Sequence, residues 1–378
     1  MSSLPAHVAC VFGTRPEVIK MAPVIARLRQ APQLRTTLIN TGQHRDLLTP
    51  TLALFGLVAD VDLALMQPAQ GLAQFSSRCL AALDIAFASD LPDAVIAQGD
   101  TSTVMMAALA AFYRHIPFFH VEAGLRTGDM ANPFPEELNR VIATRIAALH
   151  FAPTSGARAN LLREGVADER IVVTGNTVID ALLNVRDRHV AHGVPLPDNC
   201  RLIVVTSHRR ESFGVPLRNT LRALVAIADS HPDVRIVYPA HPNPRVRDAI
   251  DAELRQTPSI AVIEPLDYAR FVSLLDASTL ILTDSGGIQE EAPALHKPVL
   301  VLRDDTERPE AVAAGVARMV GTDTTRIVTE VAHLLDDPAH YAQMSRGGSP
   351  YGDGHAAARI VERIVAYLEA PAADRHPR

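Results

Sequence analysis

The chain is predicted to fold as two doubly wound α/β domains, and three observations carry that prediction. Short apolar runs alternate with segments of helical period along nearly the whole chain, as parallel sheets covered by helices on both faces require. Eleven such runs fit two sheets better than one, and 378 residues are comfortable for two cores of ordinary size. The unusual polar residues fall just after the apolar runs, where open α/β sheets bind their ligands.

Taken in order, the strand candidates of the first half are HVACVF (7–12), LRTTLIN (34–40), DAVIAQ (93–98), PFFHV (117–121), LHFA (149–152) and RIVVT (170–174). Those of the second half are RLIVVTS (201–207), VRIVYPA (234–240), IAVIE (260–264), TLILT (279–283) and KPVLVLR (297–303). Amphipathic helices follow them, such as TSTVMMAALAAFYR (101–114) and IQEEAPALH (288–296). The seam is expected near 176–200, where a helical NTVIDALLNVRDRHVAHG precedes the proline-bearing connector VPLPDNC. This divides the chain into domains 1–180 and 181–354, with the last helical stretch, 355–370, assigned back to the first domain and 371–378 read as a polar tail.

Composition excludes several classes of function. A formal net charge of −6 gives no electrostatic case for nucleic acid, and with no Trp and 4% aromatics a base-stacking platform is not expected. Cys10, Cys79 and Cys200 lie far apart without CxxC spacing, so bland thiols in a reducing compartment are expected. The N-terminal stretch lacks a basic n-region, and no run of 18 apolar residues occurs, so neither a signal peptide nor a membrane span is predicted. A cytoplasmic location follows as the expectation. His44, His120, His208 and His241 follow or end strands without HExxH or other close ligand spacing, so no metal is expected.

The strand ends carry the chemistry. GTRPEVIK (13–20) gives Thr14 and Glu17 the spacing of a capping box with Pro16 in the first turn. That leaves Arg15 and Lys20 as candidate anion contacts. In QGDTST (98–103), Asp100 is either a helix cap or a site carboxylate. In FFHVEAGLRTGDMANPFPEELNR (118–140), Glu122 ends a strand and Glu136 sits four residues before Arg140 on one helix face. An ion pair accounts for those two helical residues but not for Glu122, Arg126 and Asp129 in the same crossing. His208 lies among Arg209, Arg210 and Glu211, a setting for phosphate contact or acid–base work. In DSGGIQEE (284–291), two glycines between a strand and a helix either pack tightly or let backbone amides approach an anion. No GK[ST] and no GxGxxG accompany them, so a nucleotide-sugar diphosphate fits better than a P-loop or dinucleotide ligand. Glu291 lies two turns along for a ribose, and Arg308 offers a cation for phosphate.

With these residues assembled, the chain resembles the non-hydrolysing bacterial UDP-N-acetylglucosamine 2-epimerase family over about residues 7–365. The resemblance is carried by VFGTRPEVIKMAP (11–23), TGQHRDLL (41–48), QGDTST, the 120–140 stretch, VTGNTVIDAL (173–182), SHRRESFG (207–214), YPAHPNP (238–244) and TDSGGIQEEAPALHKPVLVLRDDTERPEAV (283–312). It implies two Rossmann-like domains facing a central cleft in the glycosyltransferase-B arrangement, usually as a homodimer. The implied reaction interconverts UDP-GlcNAc and UDP-ManNAc by anti elimination of UDP to 2-acetamidoglucal and re-addition, without a nicotinamide or other cofactor. Asp100, Glu122 and Glu136 match the family's catalytic carboxylates and His208 its active-site histidine. Arg15, Lys20, Ser285, Gly286, Gly287, Glu291 and Arg308 match residues that hold UDP, and Phe271 matches a position of the uracil pocket. Gln43, Glu136, Arg209 and His241 match a second UDP-GlcNAc site, which implies an activator.

Two departures stand out: Ser207 where Gly usually precedes the His-Arg-Arg, and Leu266 where some relatives carry Gln. The rival readings are a glycosyltransferase of the same fold, a non-catalytic sugar-nucleotide sensor and an epimerase acting on a modified UDP-sugar. All three carboxylates are present, which argues against the sensor, and their number leans away from a transferase needing one base.

Overall fold

The computed structural model describes residues 4–43, 45–67, 70–207, 213–240, 243–254, 257–306 and 308–371, with residues 45–47 and 245 by backbone alone. The chain divides into two compact units, Met1–Ala181 with Gly352–Arg378, and Leu182–Tyr351. The first unit holds strands β1 (Ala6–Phe12), β2 (Leu34–Asn40), β3 (Val61–Asp62), β4 (Ala94–Gln98), β5 (Phe118–Val121), β6 (Leu149–Ala152) and β7 (Ile171–Val173). They form one parallel sheet in the order β3-β2-β1-β4-β5-β6-β7. The second unit holds β8 (Arg201–Thr206), β9 (Val234–Pro239), β10 (Ile260–Ile263), β11 (Leu280–Thr283), β12 (Val299–Val301) and β13 (Ala317–Met319). Its parallel order is β10-β9-β8-β11-β12-β13.

Both sheets are therefore doubly wound, as predicted. Sequence order reverses between β1 and β4 in one and between β8 and β11 in the other, so the loops leaving those strands are neighbours. The structure adds β3 and β13, which sequence reading missed. Each is two or three residues long and lies at a sheet edge, too short for periodicity to register. The helix expected over 176–193 is shorter, Thr177–Arg186.

The apolar run of β1 explains why it is central. Val8, Cys10 and Phe12 enter one core with Val18, Met21, Ile25 and Leu28 of helix Arg15–Gln30. Ala9 and Val11 face the other way, against Phe75, Cys79 and Leu83 of helix Leu72–Ser89. The C-terminal helix Ala356–Glu369 joins the first of these cores through Ile360, Ile364 and Tyr367, whose ring meets Phe119 edge-on at 5.1 Å. Each fully buried aliphatic side chain there contributes roughly 1.5–3 kcal/mol. The start of this helix is also tied down: Asp180 accepts the Ala356 and Ala357 amides at 3.2 and 2.8 Å.

His120 and His150 are register partners on β5 and β6 and are fully buried. The Nε2 of each faces a carbonyl, Gly99 at 2.7 Å and Thr144 at 3.0 Å, so Nε2 carries the proton and Nδ1 is left bare. Burial holds their pKa values down, at about 3 for His120 and about 4 for His150. The stability they confer is complete above pH 6.5, the unfolded value, and is lost as pH falls towards those folded values. Urea unfolding should weaken between pH 6.5 and 5 by about 1.4 kcal/mol per pH unit per histidine. A flat profile over that range would remove both from the acid response.

Candidate active site

In the first unit the switch point joins the loops after β1 and β4. Thr14 caps helix Arg15–Gln30, and the buried Glu17 carboxylate accepts the Gly13 and Thr14 amides at 2.9 and 2.7 Å. Glu17 also accepts the Thr101 hydroxyl at 2.7 Å, stitching the β1 loop to the β4 loop. Gly13 is forced by this closeness, since a Cβ there would stand 2.1 Å from Thr41 Oγ1 and 2.7 Å from Thr103 Oγ1. Gln43 completes the seam by accepting the Thr103 hydroxyl at 3.1 Å. Arg15, in the first turn, is half-buried and meets no partner among the described residues.

Helix Ser102–Tyr113 is capped by Thr101, which frees Asp100 from the capping role that sequence alone left open. Instead the Asp100 carboxylate meets Arg140 at 2.7 Å, and its backbone carbonyl accepts the Asn139 amide at 2.8 Å. Burial raises the proton affinity of Asp100. Arg140 and Lys20 oppose that rise, while Glu122 and Glu136 add to it.

Glu122 follows β5 with φ of +63°, a left-handed backbone that costs a non-glycine residue of order 1–3 kcal/mol. Its side chain is 6% exposed and densely held. Oε1 takes the Lys20 ammonium at 2.5 Å and the Asn176 amide at 2.8 Å, while Oε2 takes the Gln98 amide. Lys20, matched to UDP by resemblance, is thus found on a carboxylate.

The 120–140 crossing sorts into two groups. Arg140 does not pair with Glu136, which corrects the helix-face pairing drawn from spacing. It bonds Asp100 and reaches Glu137 at 3.4 Å, because the i,i+3 neighbour and the β4 loop lie on its buried side. Glu137 is structural, accepting the Thr127 and Gly128 amides at 3.2 and 3.0 Å. Arg126 is structural too: it forks onto Glu164 at 2.6 and 2.8 Å and onto Thr144. Asp129 closes a turn by accepting the Ala131 amide. Glu136 is half-buried at the start of helix Glu136–Ile146 and makes no hydrogen bond or ion pair among the described residues.

In the second unit, β8 and β11 end side by side. The Thr206 and Thr283 hydroxyls meet at 2.7 Å, and Ser207 Oγ donates to the fully buried Asp284 at 3.0 Å. Ser207, the departure from the family pattern, therefore has a partner for its hydroxyl. Helix Gly286–Ala294 starts without a side-chain cap from Ser285, whose own amide goes to Thr283 Oγ1 at 2.9 Å. The first amides of that helix, at Gly286 and Gly287, have no intrahelical acceptor, as at any helix start. Among the described residues, a Cβ on Gly287 would meet only Ser285 Oγ, at 3.9 Å, which is ordinary contact.

Glu291, on the buried side of this helix, accepts the Tyr268 hydroxyl at 2.7 Å. Arg308 bonds Glu290, and Thr306 bonds Gln289 at 2.6 Å, fastening both residues to the same helix. Phe271 is half-buried on helix Tyr268–Ala277, one turn from Tyr268. Leu266 lies just before that helix, half-buried. His208, Arg209, Arg210, Glu211, His44 and His241 lie outside the described residues. Sequence reasoning missed Gln98, Asn176 and Tyr268 as partners of site carboxylates. A buried amide closing an apolar strand was the one available signal, at Gln98. Among the described residues, no group of three or more His, Cys, Asp or Glu side chains is placed to hold a metal ion. No helix among them is long and apolar enough to cross a membrane.

These features define a two-unit parallel α/β protein with clustered, largely buried carboxylates at one switch point and an uncapped, glycine-bearing helix start at the other. The chain belongs to the UDP-N-acetylglucosamine 2-epimerase family, whose model matches residues 26–365. An Escherichia coli K12 protein named UDP-N-acetylglucosamine 2-epimerase is 51% identical over 367 residues, 94% of this chain and 98% of that protein. A Listeria monocytogenes structure of the same name is similar with a TM-score of 0.91 at 42% identity, covering 97% of each chain. The Neisseria meningitidis UDP-GlcNAc 2-epimerase, solved bound to UDP-GlcNAc, gives 0.86 at 42% identity over 95% of this chain and 100% of that one.

Proposed function

We propose that this chain interconverts UDP-GlcNAc and UDP-ManNAc at carbon 2 of the sugar, and the observation that carries the reading is the pairing of Glu122 with Asp100. The two carboxylates lie in one electrostatic cluster but are held differently. Glu122 is surrounded by an ammonium and two amide donors, which favour a charged carboxylate; burial makes Asp100 hold its proton more strongly. Such a pair suits removal of a proton on one face of carbon 2 and its return on the other.

Carbon 2 has no adjacent carbonyl, so simple deprotonation is very hard. In the proposed route a carboxylate takes the carbon-2 proton while the C–H electron pair forms the carbon 1–carbon 2 double bond. The bond from carbon 1 to the diphosphate oxygen breaks, and UDP departs with that pair, leaving 2-acetamidoglucal. On return, a diphosphate oxygen attacks carbon 1 and carbon 2 takes a proton from the opposite face. The route is redox-neutral and requires no nicotinamide.

In this reading Glu122 serves one face and Asp100 the other, with Glu136 and His208 completing the acid–base set. The domain division 1–180 and 181–354, with 355–370 joined to the first, assigns the carboxylates to the first domain and the UDP grip to the second. Ser285, Gly286 and Gly287 would hold the diphosphate with Arg308 and Arg15, and Glu291 the ribose, with Phe271 against uracil. Lys20, which bonds Glu122, is proposed as a further contact for UDP. A cytoplasmic homodimer is proposed, with a second UDP-GlcNAc at Gln43, Glu136, Arg209 and His241 acting as activator.

The test is incubation of the pure protein with UDP-GlcNAc alone in heavy water, followed by NMR at carbon 2. The expected product is UDP-ManNAc deuterated at that carbon. Absence of both exchange and a new sugar, with activator added, would sink the reading. Turnover only with an acceptor would point to a transferase, and exchange only with a modified UDP-sugar would move the substrate assignment.

A further inference from the structure

We propose that Asn176 is a positioning residue for Glu122, holding its carboxylate charged and fixed in rotation without bringing in a charge of its own. The inference rests on the reading of Glu122 as an acid–base group. Asn176 lies between β7 and helix Thr177–Arg186 and is 2% exposed. Its Oδ1 accepts the Val178 amide at 3.0 Å, which decides the orientation of the side-chain amide. Nδ2 must then face the other way, and it donates to Glu122 Oε1 at 2.8 Å.

The backbone behind it is clamped. A Cβ on Gly352 would stand 3.3 Å from Gly175 Cα and 3.4 Å from the Asn176 amide nitrogen, so the returning chain lies directly against it. One turn along, Asp180 ties the same helix to the start of helix Ala356–Glu369. The donor therefore has little freedom to follow a moving carboxylate, and the carboxylate conforms to the donor.

Among the described residues, the charged and titratable groups around Glu122 include Lys20 from helix Arg15–Gln30, Asp100 from the β4 loop and His120 from the preceding strand. Arg140 and Glu136 act on Asp100 from helix Glu136–Ile146. A second cation at position 176 would favour charged Glu122 but would also lower the proton affinity of Asp100. A neutral amide strengthens one member of the pair and leaves the other alone. If Asn176 only started its helix, Asp would serve as well or better, since carboxylates are good caps and favour a helix N-terminus.

Asn176→Asp separates the two roles. It keeps the shape and the oxygen for Val178 but sets a like charge where Nδ2 now meets Glu122. The readouts, on the full-length protein, are the pH dependence of kcat for carbon-2 deuterium incorporation, the Kd for UDP and the thermal midpoint. The acid limb of kcat is expected to move up by about one pH unit or more, so that exchange at a pH on that limb falls about tenfold. UDP affinity should stay within about twofold, because a group acting through Glu122 touches the chemical step alone. Asn176→Ser keeps an oxygen for the cap and loses the reach to Glu122; about tenfold loss of kcat with little change in KM is expected. An unmoved acid limb in Asn176→Asp overturns the proposal. So does a loss in both variants that tracks thermal stability and UDP affinity, and if Asn176→Asp does not fold, Asn176→Ser decides. Absence of exchange in the unmodified protein would instead defeat the epimerase reading.

Discussion

Glu122→Gln should abolish exchange of the carbon-2 hydrogen with solvent deuterium, lowering kcat by about 10²–10⁴ while leaving UDP affinity largely unchanged. The neutral amide cannot take a proton, which removes the acid–base contribution outright. The local structure can absorb the change. Oε1 presently receives Lys20 and Asn176, and Oε2 receives Gln98. A Gln side chain can keep its oxygen towards Lys20 and Asn176 and turn its NH₂ towards Gln98, whose own amide flips to accept. The strained backbone at φ +63° is unaffected by a change so far along the side chain. The measurement is single-turnover exchange by NMR beside calorimetric titration with UDP. Near-normal turnover would remove Glu122 from the mechanism; loss of UDP binding in parallel would recast it as a structural carboxylate.

Glu291→Gln should weaken UDP binding by about 10- to 100-fold, with a smaller effect on the chemical step once the site is saturated. Hydrogen bonds to an ionised group are worth about 1.5–3 kcal/mol, and a ribose offers two hydroxyl donors. Glu291 is 7% exposed and sits on the helix that starts at Gly286, with Tyr268 donating to Oε1 at 2.7 Å. That bond fixes the carboxylate, and Tyr268→Phe provides a milder control. Titration with UDP and with inorganic pyrophosphate, which lacks the ribose, separates the ribose contact from the phosphate grip. Equal UDP affinity in Glu291→Gln and the unmodified protein would dismiss the ribose assignment.

Much of this fold is legible in the sequence alone. The alternation of apolar runs and helical segments located eleven of the thirteen described strands, because a doubly wound sheet buries its strands on both faces and they read as continuous apolar stretches. The capping box at Thr14 and Glu17 was readable because a helix start depends on residues three apart. The short edge strands β3 and β13 were not, since two or three residues carry no period.

The candidate site divides along the same line. Glu122, Asp100 and the DSGG turn could be picked out because polar residues interrupting apolar runs at strand ends are locally conspicuous. Who pairs with whom could not. Spacing joined Glu136 to Arg140, but Arg140 goes to Asp100, which is 40 positions away in sequence and adjacent only because β4 and β5 are neighbours. Lys20, Gln98 and Asn176 reach Glu122 from three separate segments. Local sequence thus determined which residues stand at the strand ends. The order of strands in the parallel sheet decided which of those ends meet, because crossover connections bring together residues whose separation along the chain carries no information about their distance.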